Sequence, residues 1–377
     1  MMPLSADDRV LVEAVREYAR GELLELDAAW DRTETSCCER LAQLYDMGLM
    51  GLRVPEALGG LERPMPTYVH IIRELAYASP SVAVTISVHS MVCEALKMFA
   101  VPAVRDRMLR VLVTPGNLAA FAISEPDAGS DPAAARTRAE KTNDGWRLHG
   151  NKFWVTNGLT GRWFIVLART GNSGTHKDLS MFLLDAQQTG VERRPIHGKM
   201  GIRASETAEM RLDGAHVPED CLLGQPGDGM KIALSALDGG RIGIAAQALG
   251  IGQACLDAMV AYAKERRQFN RPIAEFQAIQ WMIADSQVEL EAAELLVDHA
   301  AALKESGARF TRQASAAKLF ATEAANRIAY RAVQVFGGTG FVNECRVERL
   351  YRDARVTTIY EGTSEIQRLV IAREVLK

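Results

Sequence analysis

A basic excess is missing from this chain of 377 residues: Lys plus Arg number 44 against 47 for Asp plus Glu, a net charge of −3. Such a surface has little grip on phosphate backbones, which excludes nucleic acid as the main partner. Metal-ligand spacing is missing too. The six cysteines (Cys37, Cys38, Cys93, Cys221, Cys255 and Cys345) form no CxxC pair, and the seven histidines lie scattered with no HExxH. Reduced thiols in a cytosol-like compartment and no metal are expected. Residues Met1 to Asp8 carry acid where a leader would carry base and an apolar run, so no targeting segment is read there and a cytoplasmic place is expected. The uncharged stretch from Ala76 to Cys93 is broken by Pro80, His89 and several serines and reads as too polar to span a membrane. No P-loop and no GxSxG occurs, and Gly337-Gly-Thr-Gly340 follows a helical pattern, so a dinucleotide fingerprint is absent as well.

What is present is ordinary globular material, 48% hydrophobic and 24% charged, in a length that suits two or three domains. Ser5-Ala-Asp-Asp8 resembles a capping box, and Leu11, Val15 and Tyr18 then share a helical face. Helices are expected over Cys38–Met47, Thr67–Ala78, Val82–Phe99 and Ala103–Val113. After Pro115-Gly116 the texture changes to short β-type runs at Trp146–Leu148, Phe153–Thr156, Trp163–Ala168, Ser180–Asp185 and Thr207–Leu212, which predict an antiparallel β domain. Helical periodicity returns at Met230–Arg267, Phe276–Glu305 and Thr311–Phe336, with a short helix after Tyr360. Strands segregated between two helical regions argue for an α+β multidomain chain and against a doubly wound sheet.

Three motifs carry chemistry, each with a structural alternative. Phe121-Ala-Ile-Ser-Glu-Pro-Asp-Ala-Gly-Ser-Asp131 offers backbone N–H groups and the hydroxyls of Ser124 and Ser130 to a ligand, or forms a turn capped by Asx and Ser hydrogen bonds. In Asn151-Lys-Phe-Trp-Val-Thr-Asn-Gly158, period-2 spacing puts Trp154 and Thr156 on one side of a strand. That is a flat plate beside a hydrogen bonder, suited to a planar heterocycle, or else a core Trp. In Tyr360-Glu-Gly-Thr-Ser-Glu365, Glu361 precedes a glycine and a helix start. Burial there would raise its pKa from about 4.3 towards that of a general base, while exposure would leave it a first-turn acid favoured by the dipole.

In this order and spacing the motifs resemble the acyl-CoA dehydrogenase family over essentially the whole chain. Lys199-Met-Gly-Ile-Arg-Ala-Ser205 with Thr207, Leu237-Asp238 with Arg241, Glu265–Phe269, Phe276–Ile279, Gln334–Gly338 and Val347–Ala354 add to the likeness. The resemblance implies an N-terminal helical domain (1–118), a middle antiparallel, barrel-like β domain (119–226) and a C-terminal four-helix bundle (227–377). It implies FAD as cofactor, with Phe121, Ile123, Ser124, Gly129, Ser130, Trp154 and Thr156 lining the isoalloxazine. Arg266, Gln268, Phe269, Gln277, Gln334, Val335, Phe336, Gly337 and Gly338 would hold the adenine-dinucleotide part across a subunit interface, and Thr363 and Glu365 would lie near its phosphates. Asp238, Arg241 and Arg373 match CoA-contacting positions, with Ser130, Tyr360 and Gly362 also substrate-facing; Asp238 and Arg241 also fit a helix salt bridge. The implied working unit is a homotetramer, a dimer of dimers, that passes electrons to an electron-transfer flavoprotein in fatty-acid β-oxidation.

By the same resemblance Glu361 takes the α-proton of an acyl-CoA and the product is a trans-2-enoyl-CoA. Some members carry the base on the long helix where this chain has Gly240, which leaves Glu361 as base. Asp127 stands where many members have glycine, and Cys345-Arg346 replaces an aromatic-proline pair. Ser87, His89 and Ser90 with Val84, Val88 and Met91 suggest a small, mostly apolar acyl pocket for a short or medium straight chain. Ala83 stands where glutaryl-type members have an arginine. Branched short chains stay open, as do an oxygen-using oxidase or monooxygenase on the same fold and a non-catalytic acyl-CoA-binding scaffold.

Overall fold

The computed structural model describes residues 4–377; Met1 to Pro3, the start of the stretch read above for a leader, lie outside the described residues. Six helices come first: α1 (Ala6–Tyr18), α2 (Leu24–Thr33), α3 (Leu41–Asp46), α4 (Met65–Ala78), α5 (Pro80–Phe99) and α6 (Pro102–Leu112). Ser5 caps α1 by accepting from the Asp8 N–H, and Val15 and Tyr18 are buried on the expected face. The helix expected over Cys38–Met47 is instead a 3₁₀ turn, Cys37–Arg40, followed by α3. Ser36 caps that turn and delays the α-helix.

Eight strands follow: β1 (Ala119–Ala122), β2 (Arg138–Thr142), β3 (Gly145–Thr156), β4 (Trp163–Arg169), β5 (Leu179–Asp185), β6 (Val191–Pro195), β7 (Thr207–Val217) and β8 (Leu222–Leu223). The two runs Trp146–Leu148 and Phe153–Thr156 are one bulged strand, while β1, β2 and β6 lack a legible period. The sheet runs β6-β7-β3-β2-β4-β5-β8, with β1 beside β4. It is mixed rather than wholly antiparallel, because β1 and β2 both pair parallel with β4. These two strands arrive on long excursions, β1 from the helices and β2 after the 123–137 loop, so no tight hairpin forces them antiparallel to β4.

The remaining chain holds α7 (Gly229–Glu265), a small hairpin β9 (Arg267–Gln268) and β10 (Arg271–Pro272), α8 (Gln277–Glu305), α9 (Thr311–Phe336), α10 (Arg346–Thr357) and α11 (Ser364–Val375). The expected four-helix bundle is therefore three long helices and two shorter ones. α10 falls on Val347–Ala354, where the sequence shows a motif rather than a period.

α5 binds the parts together. Val82, Ala83 and Ile86 join a core shared by the N- and C-terminal helices, while Val84, Val88, Val92 and Leu96 join the core of the sheet. Burial on every side explains why α5 and α7 each reach a mean hydropathy of 1.4, enough by length and composition to cross a bilayer, while 78% and 72% of those windows are buried inside the fold. The sequence reading of Ala76–Cys93 as too polar to span thus understated its hydropathy; its serines lie inside the protein.

α10 is fastened to α2 by an ion pair and to the β domain by hydrogen bonds. Arg352 reaches both Asp31 carboxylate oxygens at 2.9 and 2.6 Å and the Met200 carbonyl at 3.0 Å, and the Ile202 N–H donates to Asp353 at 2.5 Å. Gly201 is required here, since a Cβ would come within 2.4 Å of the Arg352 backbone. Arg346, in the departure noted above, lies over the Tyr77 ring at 4.8 Å and donates to the Tyr77 carbonyl. Removing one partner of a buried pair strands the other, at a cost of about 3–5 kcal/mol. Arg352→Met should lower the thermal unfolding midpoint by several degrees in circular dichroism at neutral pH, and an unchanged midpoint would refute the fastening.

Candidate active site

Glu361 stands on the turn between α10 and α11. Its φ is 54° and that of Gly362 is 87°, two consecutive left-handed residues that no ordinary helix would accept. Three side chains hold the turn. Lys318 from α9 donates to the Gly362 carbonyl at 2.8 Å, and Gln367 donates to the Glu361 and Gly362 carbonyls at 3.1 and 2.9 Å. Tyr360 donates to Gln247 on α7, which in turn donates to the Pro80 carbonyl at 2.8 Å. The turn is thereby tied to α5, α7 and α9 together.

The carboxyl is set against Gly240. A Cβ there would lie 2.7 Å from Glu361 Oε2 and 3.1 Å from the Met91 sulfur, so glycine at 240 makes room for the acid at 361. Burial raises the Glu361 pKa to about 7, opposed by the nearby Arg241 and Lys318 charges. Glu361 Oε2 has no hydrogen-bond partner, so this carboxyl is neither a solvated surface acid nor part of a closed ion pair. It titrates near neutrality, the range a general base needs. Its N–H donates to nothing among the described residues.

Beside Gly240 opens a cavity of about 230 Å³, lined by Arg53, Met65, Tyr68, Ser87, Ser90, Met91, Glu94, Met98, Ser235, Ala236, Gly239, Gly240, Lys304 and Phe310. Of the expected acyl-pocket residues it includes Ser87, Ser90 and Met91. Helical spacing turns Val84 and Val88 into the sheet-side core, and His89 accepts the Ala119 N–H at 3.1 Å, with burial lowering its pKa to about 4. The lining is mostly apolar, as expected from sequence, but Arg53, Glu94 and Lys304 also stand in the wall, each side chain 14% exposed. Burial raises the Glu94 pKa, but Lys304 and Arg53 outweigh it and hold the carboxyl below its usual range.

Trp154 departs from strand geometry. The register shifts between Lys152 and Val155, φ at Trp154 is 59°, and the ring is 61% exposed. It is therefore not a core Trp, and the bulge rather than period-2 alternation aims it outward. The loop from Ile123 to Thr137 is braced from beneath. Buried Lys152 meets Glu125 at 2.7 Å, and Glu125 accepts the Arg136 and Thr137 N–H groups at 2.6 and 3.0 Å. Ser124 and Thr156 are half-buried, Phe121 is buried, Ile123 is partly buried, and Gly129 and Ser130 are exposed. The Ser124, Ser130 and Thr156 hydroxyls engage no protein partner among the described residues. An exposed aromatic plate beside unspent hydroxyls suits a planar, polar-edged ligand. Asp127 sits on this loop with a negative φ and pairs with Arg136 at 3.3 Å.

The chain matches the acyl-CoA dehydrogenase N-terminal, middle and C-terminal domains over residues 5–115, 120–215 and 227–376. It belongs to the acyl-CoA dehydrogenase family. It is 40% identical over 370 residues to the mitochondrial short-chain specific acyl-CoA dehydrogenase of Bos taurus, covering 98% of this chain and 90% of that one. Butyryl-CoA dehydrogenase from Megasphaera elsdenii superposes with a TM-score of 0.97 at 35% identity, covering all of both chains (100% each). A chain from the structure of the electron transferring flavoprotein of Acidaminococcus fermentans gives the same TM-score, 0.97, at 35% identity, again with 100% of each chain covered. The protein is thus an acyl-CoA dehydrogenase, a flavin-dependent oxidoreductase.

Within this family frame, the remaining expected positions fall in five places. Arg266, Gln268, Phe269 and Gln277 gather around the β9–β10 hairpin, and Gln334 to Gly338 close α9, where Phe336 stacks on Tyr262 at 4.1 Å. Thr363 caps α11 and, with Glu365, lines a groove that also holds Arg355 and Asn326, neither singled out by sequence. Asp238 pairs with Arg241 at 2.6 Å and accepts from Thr311 at 2.6 Å, so the helix salt bridge is real, and it sets Arg241 beside Glu361. Arg373 is exposed near the chain end. Arg53, Glu94, Lys304, Lys318 and Gln247 were missed. Only Glu94 had a signal, lying seven residues from Ser87 on the same face of α5.

Three outcomes test this geometry. Gly240→Ala should push the Glu361 carboxyl from its recess and slow flavin bleaching by acyl-CoA at least about tenfold, since misplaced catalytic groups act poorly. Unaltered bleaching would refute the contact. If Glu361 is the base it must be deprotonated, and kcat/KM should then fall as pH drops through about 7. Lys318→Met removes a cation that stabilises the carboxylate, and should move that acid limb to higher pH in a pH–rate profile.

Proposed function

We propose that this acyl-CoA dehydrogenase acts on short straight-chain acyl-CoA thioesters, uses FAD and passes electrons to an electron-transfer flavoprotein. The observation that carries the reading is the neutral-range, unpartnered Glu361 carboxyl at the Gly240 wall of the cavity. Glu361 removes the α-proton, and its own unspent N–H is free to donate to the thioester oxygen as negative charge develops there. The β-hydrogen leaves with its electron pair, giving a trans-2-enoyl-CoA. Bound FAD supplies the oxidising power by accepting that hydride. Trp154, Ser124 and Thr156, with Phe121, Ile123, Gly129 and Ser130, would hold its ring, and Thr363 and Glu365 would lie near the phosphates. Asp238, Arg241 and Arg373 would flank CoA, with Tyr360 and Gly362 at the thioester.

Oligomer formation fits the surface. Trp281, Val288 and Leu295 form an exposed apolar stripe at seven-residue spacing on α8, and Phe269 projects from the β9–β10 hairpin. We read these as subunit contacts in a dimer of dimers that completes the adenine-dinucleotide site, and we take 1–118, 119–226 and 227–377 as its domains. All six thiols are free, which suits a reducing compartment such as the cytoplasm.

The decisive experiment is anaerobic titration of the purified yellow protein with butyryl-CoA. Wild type should bleach, whereas Glu361→Gln should retain FAD and bleach about 10²–10⁴-fold more slowly, the usual contribution of a positioned base. Rapid bleaching in the variant would sink the assignment.

A further inference from the structure

α5 and α7 run antiparallel across the site, and three contacts fix their register. Met91 meets α7 at Gly240, where a Cβ would come 3.1 Å from its sulfur, and Ser87 meets it at Gly243, where a Cβ would come 2.3 Å from the Ser87 Oγ. The third contact is Pro80, in the first turn of α5, whose carbonyl accepts from the Gln247 side-chain amide at 2.8 Å. Residue numbers rise along one helix as they fall along the other, so the three contacts form a single seam. Gly240 and Gln247 lie two turns apart on it, about 10 Å. Each end of the seam also touches the base turn: Gly240 makes room for the Glu361 carboxyl, and Gln247 accepts from the Tyr360 hydroxyl.

Gln247 is wholly buried, 0% exposed. A leucine there would fill the seam without desolvating an amide. What the amide adds is a donor and an acceptor on one side chain. Its orientation is forced, because the Pro80 carbonyl can only accept; the nitrogen therefore faces α5 and the oxygen is left for Tyr360. Burial pushes the Tyr360 phenol far above its ordinary range, so that hydroxyl keeps its proton and donates. We propose that Gln247 is a positioning residue for proton abstraction: it holds the turn carrying Glu361 and the helix lining the acyl cavity in one register, so that the carboxyl meets the α-carbon of a chain seated against Ser87 and Met91. Gln247 acts through Tyr360 and α5, with no surface of its own in the cavity. The inference rests on Glu361 as the base and deepens that reading.

Gln247→Leu cuts both bonds, whereas Tyr360→Phe cuts only the one to the base turn. Turnover of butyryl-CoA by the FAD-loaded variants, measured across pH, reads the effect. Both should keep FAD and lose about tenfold or more in kcat, since small displacements of a reacting group are costly. In both, the acid limb of the pH–rate profile should move below about 7, because a loosened carboxyl gains water and returns towards its ordinary range. KM should rise in Gln247→Leu alone, the variant that also frees α5. The double variant should lose no more kcat than Gln247→Leu, because both changes break the same bond. A kcat within about twofold of wild type, an acid limb left in place, the same KM in both variants, or losses that multiply in the double variant overturns the proposal. Should Gln247→Leu fail to fold, the acid limb of Tyr360→Phe decides it. Glu361→Gln tests the base separately: rapid bleaching there removes the base reading, whereas slow bleaching there beside an unaltered Gln247→Leu removes the positioning role alone.

Discussion

A glycine and a carboxylate share one small space at the centre of this protein. The Glu361 carboxyl lies where a side chain at 240 would be, and the α7 backbone accepts it only because Gly240 presents none. The acid cannot relax towards water without unwinding two left-handed residues held by Lys318, Gln367 and the Tyr360–Gln247 link. Confinement is what raises its pKa towards neutrality, and Arg241 and Lys318 keep that rise from leaving it permanently protonated. The balance matters chemically. A carboxyl left in solvent would be too weak a base, and one buried without cations would hold its proton at neutral pH.

Because the turn is pinned to α5, α7 and α9 at once, the site is a property of the domain assembly and of no single segment. α5 is buried on all sides, with one flank in the helical core and another in the sheet core, and its remaining face lines the acyl cavity. The Arg352–Met200 and Ile202–Asp353 contacts keep the β domain on α10, whose C-terminal end carries the Glu361 turn, while Arg352–Asp31 ties α10 to α2. The braced loop above Lys152 and Glu125 then presents its hydroxyls, and bulged β3 presents Trp154, from a fixed platform. Packing and catalysis use the same contacts.

The order of helices, strands and helices was legible because amphipathic periods are local. Long helices such as α9 announce both ends, and the turn that carries Glu361 was legible because Glu361-Gly362 sits just before a strong helix start. Other features were hidden for a physical reason. β1 pairs parallel with β4, α5 shows no amphipathic stripe because both its flanks are cores, and α10 carries charges that face inward to partners distant in sequence, such as Arg352 to Asp31. Trp154 shows the limit most plainly. Alternation along a strand put its ring beside Thr156, whereas an unforeseen bulge and a positive φ turn the ring outward.

The cavity beside Gly240 was the least legible part, and the reason lies in chain distance. Arg53 comes from the turn before α4, Glu94 from α5 and Lys304 from the end of α8, so no window of sequence contains the cluster. Each charge taken alone reads as a solvated surface residue. Together they neutralise one another, which lets them sit in a wall beside methionines without the cost of an isolated buried ion.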